Sequence, residues 1–216
     1  MDTTTLLPDC LLRARLQNLT DVYRKADQAA AAFASSAGLG CPFGCGDCCE
    51  GFMPDILPLE AAMVALEIAV RDRPLAHRLA AETLAAQTHP DGRQGCPLYT
   101  VDTPYHCSVY QARPLICRMF PFATVRDKLG QVAFSPCRLM PAGLPDLPTE
   151  VSLPPVMADF GYRLLMIDPD RSNQRQSLHQ LLPGALSEVL FLIGLDNDHS
   201  PDSNDPGFTP LPQRHP

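Results

Sequence analysis

Four cysteines within nine consecutive residues form the part of the chain best suited to chemistry. They are Cys41, Cys45, Cys48 and Cys49, in the stretch CPFGCGDCC. The proline and the two glycines between them are incompatible with a regular helix face or strand face, so this stretch is predicted to be a loop. A loop with this density of thiols binds metal, forms disulfides or carries out redox chemistry.

Four further cysteines, Cys96, Cys107, Cys117 and Cys137, are spread over a second stretch. Their spacing is too wide for a compact metal-binding knuckle. Only the fold can therefore assemble them, and we expect them to complete sites that the first group begins. The ninth cysteine, Cys10, lies at the start of a predicted helix and is interpreted as an ordinary thiol.

Eight thiols are enough for two four-cysteine zinc sites, for one iron–sulfur cluster with spare thiols, or for two clusters. Cys45-Gly-Asp-Cys48 has the two-residue gap of a zinc knuckle, whereas the spacing from Cys41 to Cys48 also suits three thiolates on one iron–sulfur cube. Iron–sulfur is slightly preferred. Because neighbouring side chains of an extended backbone point to opposite sides, Cys48 and Cys49 are predicted to serve different metals, or only one of them to ligate.

Charge compensation is the next requirement of such a centre. Four thiolates around Zn²⁺ or an oxidised cubane leave a net charge of about −2, which needs cations and N–H donors nearby. Arg113 and Arg118 flank Cys117 and are predicted to supply that positive charge to the bound cofactor. His106, beside Cys107, is a candidate ligand, but a role as an ordinary loop residue is preferred.

Composition restricts the class of partner. The chain has 216 residues, a formal net charge of −7 and no long basic run, which disfavours a nucleic-acid groove. We expect no membrane association, because the start lacks a basic, apolar leader and no uninterrupted apolar run reaches the ~18 residues that span a bilayer. A cytoplasmic location follows, and thiols stay reduced there, which favours metal ligation over a disulfide framework.

The elements around the cysteines are predicted to be helices. Apolar residues spaced alternately by four and three from Leu12 to Phe33 indicate an amphipathic helix, with Asp9 as its N-cap and an end near Gly38. Packing of this helix on its own domain is favoured over a protein partner or a dimer formed through it.

After the first loop, Pro58 suits the first turn of a helix that ends at about Arg71, and Pro74 opens another that ends before the turn at 89–92. This helical hairpin is expected to hold the two cysteine-bearing stretches together. Alternating segments at 123–126 and 131–134 flank a turn and predict a β-hairpin that brings the chain back to Cys137.

Two apolar helical segments, 157–167 and 178–194, follow a Pro-rich stretch at 141–155, and Pro183-Gly184 is expected to break or kink the second. The predicted fold class is mainly α with a small β-hairpin (α+β), an irregular cysteine-rich metal-binding core scaffolded by helices. The predicted division is 1–40 (N-terminal amphipathic helix), 41–140 (cysteine-cluster metal-binding domain), 141–197 (Pro-rich linker and C-terminal helical segment) and 198–216 (disordered tail).

The cysteine stretches and their framing residues resemble a known family. The likeness rests on the first loop, Asp55-Ile-Leu-Pro-Leu-Glu60, Cys96-Pro-Leu, and Cys107-x2-Tyr110-x2-Arg113-Pro114-x2-Cys117-Arg118-x-Phe120-Pro121. Residues 41–137 are similar to the CxxCxxCC, or YkgJ-type, cysteine cluster family of zinc- or iron-chelating domains. The resemblance implies a metal held by the eight cysteines and leaves the biochemical role undefined. This chain departs from the pattern by placing three residues between Cys41 and Cys45.

The leading hypothesis is a cytoplasmic metal-binding protein. The two alternative classes are an enzyme and a metal-free thiol redox switch. One branch of the wider family includes flagellin lysine N-methylases, but the chain has no glycine-rich strand-to-helix turn for S-adenosylmethionine. An iron–sulfur oxidoreductase is the other enzymatic interpretation. A radical S-adenosylmethionine enzyme is rejected because no α/β barrel follows the cysteines. A metal-free thiol redox switch using Cys48 and Cys49 ranks last, since adjacent cysteines form strained disulfides.

Overall fold

The computed structural model describes residues 3–82, 87–88, 94–101, 103–126, 128–134, 137–140 and 153–198. Its α-helices are α1 (Leu11–Ser36), α2 (Asp47–Glu50), α3 (Pro58–Arg71), α4 (Arg73–Ala81), α5 (Leu115–Met119), α6 (Met157–Ile167) and α7 (Leu178–Asp198). Its strands are β1 (Asp55–Ile56), β2 (Gln87–Thr88), β3 (Gln94–Gly95), β4 (Thr124–Arg126), β5 (Val132–Phe134) and β6 (Gln176–Ser177). They pair antiparallel as β1–β6, β2–β3 and β4–β5. The predicted fold class, mainly α with a small hairpin, is confirmed.

Helix α1 buries the whole of its predicted apolar seam inside its own chain. Leu16, Leu19, Ala26 and Phe33 are completely buried, and the helix packs on α3, α5 and α6. The seam is therefore occupied within the monomer, as the favoured interpretation expected. The helix ends at Ser36, just before Gly38 at φ +63°, a conformation that glycine adopts without strain.

The predicted N-cap of α1 is wrong by one residue. Cys10, not Asp9, occupies the cap position, with extended backbone and no side-chain hydrogen bond to the first turn. The cost of a missing cap is about 1 kcal/mol, which the buried seam of a 26-residue helix readily offsets.

Helices α3 and α4 begin and end close to the predicted residues. Pro58 occupies the first turn of α3, where its missing N–H has no consequence. The side chain of Asp72 caps α4, because its Oδ1 accepts a hydrogen bond of 2.8 Å from the amide of Leu75. The turn predicted at 89–92 lies outside the described residues.

Helix α7 continues through Pro183, so the predicted break is wrong and a kink there stays a prediction. Pro183 is the sixth residue of the helix, where a missing N–H removes a single main-chain bond. Burial of Leu182, Leu186 and Val189 in the contact with α3 and α4 outweighs that loss. Leu178–Leu195 is also long and apolar enough to cross a membrane by those two measures, a test that core helices pass as well, and 39% of it is buried in the fold.

The hairpin of β4 and β5 lies against the end of α1. Its register pairs Thr124 with Phe134, and the Phe134 ring meets Phe33 edge-on at 5.4 Å between centroids. Thr124 also donates from its amide and its hydroxyl to the carbonyl of Pro155, which leads the chain into α6. Residues 141–152 and 199–216, where the linker and the disordered tail were predicted, are outside the described residues, so the domain division stays a prediction.

Candidate metal centre

The first cysteine loop is a tight turn followed by a single turn of helix. The amide of Cys45 donates to the carbonyl of Pro42 at 3.0 Å, and Gly44 adopts φ +69°. Because α2 is helical, successive side chains are about 100° apart rather than on opposite sides. The Sγ atoms of Cys48 and Cys49 lie 3.9 Å apart. The expectation that they diverge is wrong, because it assumed an extended backbone.

The second stretch packs directly on this loop. The amide of Cys96 donates to the carbonyl of Cys49 at 3.5 Å, and an isolated antiparallel bridge joins Tyr99 to Cys107. A side chain at Gly46 would put its Cβ 2.4 Å from the Cβ of His106. Glycine at this position is therefore what allows the two stretches to approach.

The imidazole of His106 forms a hydrogen bond with another side chain. Its Nδ1 lies 3.1 Å from the hydroxyl of Tyr99, and the His106 backbone has φ +52°. His106 does not line the cysteine cavity described below. Its role is a close contact between the cysteine stretches.

Seven of the eight candidate thiols line one cavity of about 350 Å³. They are Cys41, Cys45, Cys48, Cys49, Cys96, Cys107 and Cys117. The remaining wall is mainly aromatic and aliphatic, including Phe52, Leu98, Val109, Phe120 and Phe122. Thiols separated by up to 76 residues thus face a common space whose remaining wall is mainly apolar.

Cys137 lies beside this cavity rather than in its wall. Its Sγ accepts a hydrogen bond of 3.5 Å from the amide of Leu139. Burial raises the pKa of Cys41, and Cys137 is among the neighbouring thiols that raise it further, which places the two sulfurs within electrostatic reach.

The thiols are suitable ligands for soft thiophilic metals, although they do not surround a common centre in the described part of the chain. Within the described ranges, no three His, Cys, Asp or Glu side chains are arranged to hold a metal ion as they stand. The 3.9 Å between the Cys48 and Cys49 sulfurs nevertheless matches a tetrahedral edge. With Zn–S bonds of about 2.3 Å, that edge is roughly 3.8 Å. Metal binding therefore requires the thiols on the cavity wall to move inward.

The thiols influence one another electrostatically. The hydrogen bond between Cys48 and Cys49 lowers the pKa of Cys48 to about 7 and raises that of Cys49. Burial raises the pKa of Cys96 to about 11, and burial together with nearby thiols raises that of Cys117 well above its usual value. In the metal-free protein a deeply placed thiol such as Cys117 is consequently protonated near neutral pH.

The two predicted arginines have different surroundings. Arg113 lies with its guanidinium 3.9 Å above the ring of Tyr110. Burial raises the pKa of Cys41 and Cys107, and the charge of Arg113 opposes that rise; at Cys48, whose pKa is lowered mainly by the hydrogen bond with Cys49, Arg113 acts in the same direction. Its positive charge is therefore close enough to favour three thiolates. Its predicted role beside a bound metal or cluster stays a prediction.

Arg118 also lines the cavity, but its hydrogen bonds point to other groups. Nη1 lies 2.6 Å from Asp27 and Nε donates to the carbonyl of Arg113 at 2.8 Å, while Nη2 donates to the carbonyl of Gln111. The guanidinium sits 4.1 Å above the ring of Tyr23. Arg118 thus fastens the segment that carries Cys117 to α1.

Three residues of this arrangement were missed by the sequence interpretation: Tyr23, Asp27 and Glu60. Glu60 is 2% exposed and accepts three hydrogen bonds. Its position as the third residue of α3 is a recognisable helix-capping signal, but the sequence alone does not reveal its contact with the second cysteine stretch.

Comparison with known proteins was informative for one segment. Residues 40–138, a little under half of the 216-residue chain, match the family model described as "CxxCxxCC: Putative zinc- or iron-chelating domain". This confirms the resemblance, and the matched segment contains all eight candidate ligands. No curated protein and no solved structure matches the chain.

Proposed function

We propose that the eight cysteines of residues 41–137 bind zinc or iron in a centre that contains more than one metal atom. The observation that carries the proposal is the convergence of seven thiols, from two separate stretches, on one cavity. Cys137, beside Cys41, is the eighth ligand. The family description of zinc or iron chelation supports the same choice of metals.

The number of thiols argues for more than one metal atom. A single tetrahedral ion takes four ligands at about 2.3 Å from sulfur, so it leaves three cavity thiols unused. A cavity of about 350 Å³ is also much larger than one ion needs. Two four-thiolate ions use all eight sulfurs, and an iron–sulfur cluster, which takes four cysteines, fills more of the cavity than one ion does.

The spacing of Cys48 and Cys49 supports their binding to the same ion. Their 3.9 Å separation suits two corners of one tetrahedron. In a cubane each iron takes one cysteine, so ligands of one cube lie further apart than this. The pair favours zinc, tetrahedral iron or a two-iron cluster over a cubane held by both residues.

The surroundings meet the electrostatic needs of such a centre. Arg113 offsets part of the thiolate charge, and the apolar side chains of the wall lower the local dielectric constant, which strengthens that attraction. A cytoplasmic location belongs to the proposal, because the thiols must be reduced to bind metal.

Anaerobic purification of the full chain, followed by metal analysis, an acid-labile sulfide assay and a visible spectrum, tests the proposal. We expect at least two metal atoms per chain. Sulfide with a brown absorption identifies iron–sulfur, and colourless protein with two zinc ions identifies zinc. Less than one metal atom per chain, with the thiols freely alkylated in the native protein, would contradict the proposal and favour the thiol switch.

The enzymatic interpretations gain no support from the described site. Apart from the thiols, the ionisable side chains on the cavity wall within the described residues are Tyr105, Tyr110, Arg113 and Arg118. No carboxylate or histidine from that part of the chain lines the cavity to act as a general base. Calorimetry with S-adenosylmethionine on the metal-loaded protein tests the methylase interpretation, for which we expect no heat of binding.

A further inference from the structure

Cys117 lies on α5, a helix too short to be stable by itself. Helix α5 has five residues, far fewer than the ~12 that an isolated helix needs. Ile116 lines the cysteine cavity on one side and a second cavity of about 280 Å³ on the other. Leu115 and Met119 are buried and seat α5 on the core, whereas the open space on two sides of Ile116 leaves part of its position to polar contacts.

A buried carboxylate on α3 holds the start of α5. Oε1 of Glu60 accepts a hydrogen bond of 2.8 Å from the amide of Leu115, the first residue of α5. The same oxygen accepts from the hydroxyl of Tyr23 at 3.2 Å, and Oε2 accepts from the amide of Leu57 at 3.0 Å. Glu60 therefore joins α1, α3 and α5 at one buried point.

The other end of α5 is held by the ion pair between Arg118 and Asp27 of α1. Cys117 lies between the two attachments, one residue from Arg118 and two from Leu115. A carboxylate at the N-terminus of a helix and a paired guanidinium at its end set both the location and the rotation of that helix.

We propose that Glu60 is a positioning residue of the metal centre, which holds the thiol of Cys117 at the cavity by binding the amide of Leu115. This inference rests on the proposed function, since it assumes that Cys117 ligates metal. Glutamine at position 60 keeps one acceptor oxygen and turns the other into a donor. One of the two backbone amides, that of Leu57 or that of Leu115, then loses its acceptor, and the neutral side chain holds the other less strongly than a carboxylate does. The attachment of α5 to α3 is therefore weakened.

The test compares the metal-free full chain and its variants in anaerobic titrations with Co²⁺ and then in zinc competition against a chelator. Thiolate-to-cobalt absorption reports the number of sulfur ligands. The variants are Glu60→Gln, Cys117→Ser as the reference for a missing ligand, and Asp72→Ala as the control. Asp72 also caps a helix through one amide, but the helix is α4, and both residues of that bond lie outside the two cysteine stretches in the sequence.

We expect Glu60→Gln to bind zinc at least tenfold more weakly than the wild type and to give the cobalt spectrum of Cys117→Ser, as loss of a ligand-orienting partner typically costs about 10–100-fold. Asp72→Ala should retain wild-type affinity and spectrum even if it unfolds at a lower temperature. Wild-type affinity in Glu60→Gln would overturn the inference while leaving the proposed function intact. Failure of the wild type to bind metal would instead refute the proposed function, and with it the assumption on which the inference rests.

A milder variant decides the matter if Glu60→Gln does not fold. Tyr23→Phe removes one hydrogen-bond donor to Glu60 and leaves the ring beneath Arg118 in place. We expect a two- to fivefold weaker zinc affinity with the wild-type fold. Unchanged affinity and an unchanged cobalt spectrum in this variant would count against the inference.

Discussion

Arg138 forms a bidentate ion pair with Asp47, a residue 91 positions earlier in the chain, and its Nε lies 2.9 Å from Oδ2. Asp47 opens the helical turn of the first cysteine loop, and Arg138 directly follows Cys137. This pair therefore brings the last cysteine back to the first group. The ion pair thus explains why Cys137, although distant in sequence, lies near Cys41.

Arg138→Ala should weaken metal binding about three- to tenfold without unfolding the protein, because the side chain is 73% exposed and adds little to stability. Zinc competition and thermal unfolding measure the two effects. Arg24→Ala, which breaks an exposed ion pair with Asp21 inside α1, is the matched control and should change neither. Equal zinc affinity in Arg138→Ala and the wild type would mean that Cys137 does not need this pair.

Gly46→Ala should destabilise the metal-free protein by about 1–3 kcal/mol, since overpacking of a tight contact typically costs that amount. The added Cβ would overlap His106 and force the two cysteine stretches apart, so metal content should fall as well. Chemical denaturation and metal analysis of the purified variant check both. Gly40→Ala is the control, because a Cβ there meets nothing within 4 Å; similar losses in both variants would contradict the explanation.

Arg113→Ala should lower the zinc affinity about tenfold at pH 7, because the charge that favours thiolate at Cys41, Cys48 and Cys107 is lost. Arg113→Lys should recover part of that affinity, since it keeps the charge but loses the planar stacking on Tyr110. Competition titrations of the three proteins give the comparison. If lysine and alanine at this position bind zinc equally weakly, charge is not the reason for the loss.

Arg118→Ala should act on stability instead. It would leave Asp27 without its closest cation and two backbone carbonyls without their donor, and breaking a buried pair costs about 3–5 kcal/mol. Asp27 is partly exposed, which reduces this toward the lower end of the range. Denaturant unfolding of the metal-free variant and wild type measures this loss as a difference in the free energy of unfolding. A variant as stable as the wild type would show that Arg118 is not a structural anchor.

Stability of the metal-free protein should fall in alkaline solution. Burial raises the pKa of Cys96 to about 11 in the folded chain, whereas an unfolded thiol titrates near about 8.5. A folded pKa above the unfolded one gives stability that is complete below about pH 8.5 and lost as pH rises toward 11. Thermal unfolding of the metal-free protein from pH 7 to 10.5 follows this loss, and Cys96→Ser should reduce the slope. A slope that is unaffected by that substitution would contradict the assignment to Cys96.

Local patterns in the sequence were sufficient for most helix boundaries. Pro58 at the start of α3, the apolar spacing of α1 and the glycine at its end depend on residues within a few positions of each other, and such interactions act before any tertiary contact. The hairpin of β4 and β5 was predictable for the same reason. The continuity of α7 through Pro183 was not predictable, because the packing of α7 on α3 and α4, which outweighs one lost hydrogen bond, is not a local property.

The eight thiols and their spacing are chemical facts of the chain, and they are enough to show which side chains can bind metal. Where those thiols lie in space depends on the fold. Cys48 and Cys49 share one side because α2 is helical, and Cys117 reaches the cavity because Glu60 and Asp27 hold α5 at its two ends. Those partners are 55 and 91 residues away from the residues that they hold. Contacts between residues so far apart leave no repeating pattern in the sequence. They form only when the chain folds and brings the distant groups together in the interior.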